Sequence, residues 1–353
     1  MEYGSEFDLA SNEAVRGIWP IPESWQLFRS GRDALRAFAR LAGRRRVLLP
    51  ALCCEAMLLP FRENGYELVF YRLREDLTPD GDELRRRLRD GDVLLYMRYF
   101  GIRPFPDAFL EELRAAFPGV LFLEDRTHDI LIPRGSDGFR PDASAASLRK
   151  WAALPEGGML ETYFTAAPAG ARTDTRYGDL RLEAMRKKSD YLQSGGEALR
   201  EAYSALLRRA DALLDESAEP VGMAPAYREI LRGLDPGKIL AVRRRNLQRL
   251  RARLSDLFAD GTLRLMTDAP ENSGLYLPVT VRNRDAVQRE LIRRRFYCPA
   301  AIWPEPAEAA GVCPVSRGVT QHMLSLLCDQ RCTEADMDLL ADTLREIMRR
   351  NDL

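Results

Sequence analysis

Between Ser30 and about Phe164, short apolar runs alternate with amphipathic stretches. The runs Val47 to Leu49, Leu68 to Tyr71, Val93 to Tyr96 and Val120 to Leu123 read as buried strands, and Asp33 to Leu41, Ala51 to Glu63, Asp82 to Leu88 and Ala108 to Phe117 carry helical spacing. That βαβ rhythm predicts an α/β fold with a mainly parallel sheet covered by helices on both faces. Such a sheet gathers ligand-binding groups at the carboxyl ends of its strands.

From about Arg172 to Glu219 the strand signal stops and charged, helix-forming sequence takes over, interrupted at Ser194-Gly195-Gly196. A further long helix is expected from Ile239 to Phe258. Strands at Gly274 to Val281 and His322 to Leu327, with helices at Asp285 to Arg295 and Thr333 to Arg349, predict a small α+β C-terminal domain. The expected division is an N-terminal segment over 1–27, a large α/β domain over 28–235 and the small domain over 236–353.

At 353 residues the chain is long enough for that division. With 46% apolar and 30% charged residues it is neither collagen-like, nor disordered, nor a disulfide scaffold. Lys plus Arg and Asp plus Glu both total 53, so no net field favours nucleic acid or anionic lipid, and neither is expected as a partner. The basic runs Arg44-Arg45-Arg46, Arg85-Arg86-Arg87, Arg243-Arg244-Arg245 and Arg293-Arg294-Arg295 read as solvated helix faces. No apolar stretch reaches the ~18 to 20 residues that span a bilayer. The acidic start Met1-Glu2-Tyr3-Gly4-Ser5-Glu6 lacks signal-peptide character, so a cytoplasmic protein is expected. Cys53, Cys54, Cys298, Cys313, Cys328 and Cys332 show no CxxC spacing, and His128 and His322 are the only histidines. No metal site is expected, and the thiols should be reduced.

The basic total hides the most informative residue. Lysine occurs only at Lys150, Lys187, Lys188 and Lys238, and arginine supplies every other cation. Lys187 and Lys188 sit in a charged run and Lys238 opens a helix, so all three fit surface positions. Lys150 instead follows the small-residue segment Asp142 to Leu148, which reads as a buried strand, and precedes Trp151. An arginine cannot form an imine at neutral pH, whereas a desolvated lysine becomes a nucleophile towards carbonyls. The alternative is a lysine that lays its stem along Trp151.

Three further features bear on that choice. The strand Val120 to Asp125 ends in carboxylates, where a buried acid could pair with a pyridinium nitrogen, or serve as a cap. Ser30-Gly31-Arg32-Asp33 opens the first helix with an N-cap serine; its free N–H groups suit a phosphate, though ordinary capping explains the tetrapeptide too. Ser147 lies three residues before Lys150, and Gly157-Gly158 follows, which lets backbone pass close to a flat ligand.

Taken in order, these segments resemble the fold-type I pyridoxal-phosphate aminotransferases, and in particular the DegT/StrS sugar-aminotransferase family. The similar segments are Ser30 to Leu35, Leu49-Pro50-Ala51, Arg98-Tyr99-Phe100-Gly101, Glu124 to His128, Ser147 to Lys150 with Gly157-Gly158, and Leu324 to Met337. The resemblance implies pyridoxal 5'-phosphate held by Lys150, which would also shuttle a proton. Asp125 would face the pyridine nitrogen and His128 would lie near the ring. Ser30, Gly31, Arg32 and Ser147 would bind the phosphate, the middle two mainly through backbone N–H. It also implies a homodimer and transfer of an amino group from an amino acid to a keto substrate such as a nucleotide-linked keto sugar.

The chain departs from the family pattern in three places. Cys54 stands where an aromatic residue usually stacks on the cofactor. Ala145 fills the family's serine position, with Ser144 as a fallback ligand. Nothing between Gly170 and Ala224 matches the partner-chain loop that usually completes the phosphate site. Arg98, Arg103, Arg126, Arg149 and Arg317 are candidate anion clamps. Two other readings stay open: a decarboxylase, lyase or acyl transferase using the same residues, and a non-catalytic scaffold.

Overall fold

The computed structural model describes residues 2–102, 105–133, 138–165, 172–216, 218–266, 272–299 and 306–350. After a 3₁₀ turn at Leu9–Val15 the elements run β1 (Gln26–Phe28), α1 (Gly31–Ala42), β2 (Arg46–Pro50), α2 (Glu55–Glu63), β3 (Glu67–Tyr71), α3 (Gly81–Arg87), β4 (Val93–Met97), α4 (Asp107–Ala116), β5 (Leu121–Asp125), β6 (Ala143–Ser147) and β7 (Gly158–Thr162). Then come α5 (Arg176–Ser194), α6 (Glu197–Leu213), α7 (Pro225–Arg232), α8 (Pro236–Arg253), α9 (Ser255–Ala259), β8 (Leu263–Leu265), β9 (Tyr276–Val281), α10 (Arg284–Arg293), α11 (Pro314–His322), β10 (Met323–Leu327) and α12 (Glu334–Arg350).

The first seven strands form one sheet in the order β1-β7-β6-β5-β4-β2-β3. Strands β3, β2, β4, β5 and β6 pair in parallel, while β7 is antiparallel to both β6 and β1. The mainly parallel α/β sheet read from the apolar rhythm is therefore present, with an antiparallel edge that the rhythm did not reveal. That edge is short, and β7 begins on a glycine, so it carries little strand signature. The sheet core packs Leu48, Leu49, Leu94 and Phe122 against Phe38 of α1 and Phe61 of α2. A second sheet, β10-β9-β8, is antiparallel and has its own core with α8, α10 and α12.

Several expectations need correction. Helix α2 starts at Glu55 rather than Ala51, because the chain bends after β2 and Cys54, in extended backbone, becomes the N-cap. The long helix expected from Ile239 to Phe258 breaks at Leu254 into α8 and α9, and His322 ends α11 rather than starting β10. Arg243 is 1% exposed, not part of a solvated face. A helix turns about 100° per residue, so three consecutive arginines cannot share one face; Arg243 falls in register with the buried Ile239, Leu247 and Leu250. Lys188 is likewise 1% exposed. It donates to Ser5 Oγ at 2.6 Å and lies 5.4 Å from the centre of the Tyr203 ring. Burial, then the charge of Arg331, brings its pKa down to about 8.

Candidate active site

Lys150 closes a 3₁₀ turn, Leu148–Lys150, that leaves β6 at its carboxyl end, where a parallel sheet opens its crevice. The turn is held from several sides. Arg243 of α8, itself 5.0 Å from the centre of the Trp151 ring, donates to the Lys150 carbonyl at 3.4 Å. Gln330 donates to the Trp151 carbonyl at 2.7 Å, and the Trp151 indole N–H donates to the Thr127 carbonyl at 2.8 Å. Asn12 brackets Ala153 with two hydrogen bonds. Sequence reasoning missed Arg243, Gln330, Thr127 and Asn12. Only Arg243 left a trace there, its helical register with apolar residues.

Asp125 ends β5, the strand paired with β6, and is 5% exposed. Thr127 N–H donates to its Oδ1 at 2.8 Å, and the Thr127 hydroxyl in turn accepts the N–H of Ser147 at 3.0 Å, so one threonine ties the acid to the lysine turn. Burial pushes the Asp125 carboxyl above its ordinary value, while the Thr127 hydrogen bonds and the positive charge of Lys150 pull the other way. Lys150 is half-buried and acts on two further groups. Burial raises the Cys54 thiol pKa and Lys150 opposes it; burial and then Lys150 hold His128 well below the ordinary imidazole range. Asp125, His128, Cys54 and Lys150 thus form one electrostatic cluster.

His128 is fully buried and neutral. Its Nδ1 accepts the Phe100 N–H at 3.3 Å, which leaves the ring proton on Nε2. The turn after β4 makes that contact by winding left-handed at Phe100, φ 57°, an uncommon conformation for a bulky residue. The next residue, Gly101, is also left-handed, and a Cβ there would meet Ser273 at 2.8 Å. The Ser273 N–H donates to the Phe100 carbonyl at 2.8 Å, so the turn is clamped between the two sheets.

The capped start of α1 expected at Ser30 to Asp33 is present. Ser30 caps α1, accepting the Asp33 N–H at 3.1 Å, and its hydroxyl donates to Asp33 Oδ2 at 2.6 Å. That hydroxyl is committed to the cap, and the donors offered by the turn are the backbone N–H groups of Gly31 and Arg32. The Arg32 guanidinium turns away to Asp215. A Cβ on Gly31 would meet Ser147 Cβ at 3.1 Å, and one on Gly158 would meet the Ser30 carbonyl oxygen at 2.0 Å. Two glycines therefore bring the start of α1, the end of β6 and β7 into backbone contact around one small cradle. Ser144, the fallback ligand, is fully buried within β6.

The arginine candidates separate cleanly. Arg98 pairs with Glu124 at 2.5 Å and Asp129 at 3.6 Å, and Arg126 pairs with Asp129 at 3.5 Å and donates to the Ile132 carbonyl at 2.6 Å. Both stabilise the loop beyond β5. Arg317 is exposed on α11, and Arg103 lies outside the described residues. Arg149 lies against Tyr177, its guanidinium carbon 5.4 Å from the ring centre. Among the described residues no group of His, Cys, Asp and Glu is arranged to hold a metal ion, and no helix is long and apolar enough to cross a membrane.

No family model matches the chain, and no curated protein matches it by sequence. Solved structures match it in architecture. DesI, crystallised in the presence of its TDP-sugar product, superposes with a TM-score of 0.66 at 19% identity, over 97% of this chain and 85% of that one. An aminotransferase, TlmJ, from Streptoalloteichus hindustanus gives 0.61 at 17% identity, over 93% and 86%. A DegT DnrJ EryC1 StrS aminotransferase from Brucella abortus gives 0.59 at 15% identity, over 91% and 85%. At these identities the likeness establishes architecture alone: this chain carries the fold of the DegT DnrJ EryC1 StrS aminotransferases.

Proposed function

We propose that the chain is a homodimeric pyridoxal-phosphate-dependent aminotransferase that moves an amino group from an amino acid to a keto sugar carried on a nucleotide. The observation that carries this reading is one constellation: Lys150 and the buried Asp125 on neighbouring strand ends, beside a glycine-built cradle at the start of α1. The residues fit the cofactor. The cradle has no room for a Cβ at Gly158, offers free N–H groups to a phosphate, and stands at the crevice that contains a buried acid and an amine.

Bound there, pyridoxal phosphate supplies an aldehyde for an amine to condense with and a ring that draws electrons from the substrate carbon. Lys150 provides the amine, and its turn, pinned by Arg243 and Gln330, keeps the Nζ in reach to take and return a proton. Asp125 sets a negative charge where a protonated ring nitrogen would sit, and Thr127 holds that carboxylate in place. His128, neutral and donating from Nε2, offers a hydrogen bond that does not compete with Asp125 for the positive charge. Cys54 at the α2 N-cap leaves no aromatic ring at that point. The keto-sugar acceptor is supported by DesI and its TDP-sugar product.

The test is a titration of the full-length protein with pyridoxal phosphate. A visible absorption band should grow to one equivalent per chain, bleach on adding an amino-acid donor, and return on adding a nucleotide-linked keto sugar. A band that no donor bleaches would turn the assignment towards another reaction of the same cofactor, and the absence of any band would remove the cofactor altogether.

A further inference from the structure

A cleft of about 1220 Å³ runs along the outer edge of the large sheet, beside β1, and is not part of the crevice at Lys150. Neither Lys150, Asp125, His128 nor Gly31 lines it. Arg40, which does, lies nine residues on from Gly31 in α1, about 13 Å along the helix axis. The chain leading into and through β1 gives the cleft its apolar surface, from Ile21, Trp25 and Leu27, each half-buried, and from Ile18, which is 80% exposed. The volume exceeds the roughly 300 to 1,000 Å³ that holds a small organic ligand.

Charge says what that ligand carries. Six arginines line the cleft, and four have carboxylates in contact: Arg29 with Asp33 at 2.9 Å, Arg40 with Glu219, Arg176 with Asp174 at 2.8 Å and Arg232 with Glu229 at 2.6 Å. Arg172 and Arg228 have none among the described residues, and of the acids that line the cleft only Glu23 lacks a cation there. The two unmatched cations are tied to consecutive residues. The Gly222 N–H donates to the Arg172 carbonyl at 3.0 Å, and Arg228 Nε donates to the Met223 carbonyl at 3.2 Å, which leaves its terminal nitrogens without an acceptor among the described residues. That stretch is fixed against β1, since Arg29 N–H donates to the Val221 carbonyl at 2.9 Å and Met223 N–H to the Leu27 carbonyl at 3.0 Å. The side-chain nitrogen of Gln26, which also lines the cleft, is shielded from solvent and has no acceptor among the described residues. Two unmatched guanidinium groups near one another, a half-buried indole and an unsatisfied amide donor suit one chemistry: a flat ring with acceptor atoms that bears adjacent negative groups.

We infer that this cleft is a second ligand site, separate from the crevice at Lys150, and that it takes a nucleoside diphosphate, with the base against Trp25 and the diphosphate on Arg172 and Arg228. The site does not depend on the proposed cofactor, because none of the residues assigned to the cofactor lines the cleft.

The experiment uses full-length protein freed of cofactor and three probes: ADP, adenosine, which lacks the charge, and inorganic pyrophosphate, which lacks the ring. Binding is read from tryptophan fluorescence and from calorimetry. ADP should bind once per chain and quench the emission, and adenosine and pyrophosphate should each bind at least about 10-fold more weakly. Arg172→Gln and Arg228→Gln should each weaken ADP by about 10- to 100-fold, the range for charge-assisted hydrogen bonds. Arg232→Gln, which removes a cation already paired with Glu229, and Lys150→Ala should each change ADP binding less than about twofold. Trp25→Phe keeps a ring, so it should retain binding and lose most of the quench. No ADP binding, ADP binding indifferent to both unmatched arginines, or adenosine or pyrophosphate binding as tightly as ADP would overturn the inference. Loss of ADP binding in Lys150→Ala would overturn it too, by placing the nucleotide in the crevice. Amino transfer without ADP binding removes this site alone, whereas ADP binding to a protein that never takes up pyridoxal phosphate leaves it standing while the cofactor falls.

Discussion

Glu124 and Asp125 are consecutive residues of one strand and are buried almost equally, at 0% and 5% exposure. The pleat sends them to opposite faces of the sheet, and their contact partners differ. Glu124 lies in contact with Arg98, which also reaches Asp129, which in turn holds Arg126; two cations and two anions close on each other. Among the described residues, Asp125 has no guanidinium in contact. It keeps a hydrogen bond from Thr127 and the more distant charge of Lys150, and burial raises its pKa. A buried acid whose charge is matched at contact distance organises a loop, whereas one left short of compensation holds a site ready for a charged ligand.

The comparison can be broken most forcefully at Lys150. Lys150→Ala should lower amino transfer by at least about 10³-fold, and Lys150→Arg should not restore it, because the missing property is nucleophilicity and not charge. Next, Asp125→Asn should lower turnover by about 10²-fold with little change in thermal midpoint, measured beside donor kinetics. Glu124→Gln should do the reverse. It takes the nearer anion from Arg98, which keeps only Asp129 at 3.6 Å, so unfolding in urea should show a loss of about 2 kcal/mol, while the activity per folded molecule stays near wild type. If both variants fail in the same way, the contrast between the two faces is wrong.

Glu156 provides the control with the smallest effect on activity. It is fully buried, accepts the Ala224 N–H at 2.8 Å, and among the described residues has no cation in contact. Burial raises its pKa to about 7. Because the folded state then binds the proton more tightly than the unfolded chain, stability should fall as pH rises from about 4.3 to about 7 and level off above. Glu156→Gln keeps the acceptor and removes the charge, so it should flatten that slope and stabilise the protein by about 3 to 4 kcal/mol at pH 8, read from urea unfolding at pH 5 and pH 8. Activity should persist, since a raised carboxyl without a lysine beside it is not a site.

The site was legible in the sequence wherever chemistry narrows residue choice. A lysine after a small-residue strand, in a chain with only four lysines, singled out Lys150 as a candidate; an apolar strand ending in acids singled out Asp125; and Ser30 with Asp33 announced the α1 cap. Arg243 and Lys188 were misplaced at the surface because charge was weighed before register. Each falls on the buried stripe of its own helix, Arg243 with Ile239 and Leu250, Lys188 with Arg181 and Met185. The antiparallel strands β1 and β7 escaped because a three-residue strand and one starting on glycine leave almost no period to detect.

What the sequence by itself determined is local: the alternation of strand and helix, the capped start of α1, and the types of side chain delivered to the sheet's carboxyl edge. These follow from periodicity and capping, which act within one or two turns of chain. Tertiary structure alone decided which of two adjacent acids finds a guanidinium and that Arg243 crosses from α8 to hold the Lys150 carbonyl. Charge compensation depends on groups brought together from elements far apart in the chain, and no spacing along a single strand encodes that encounter.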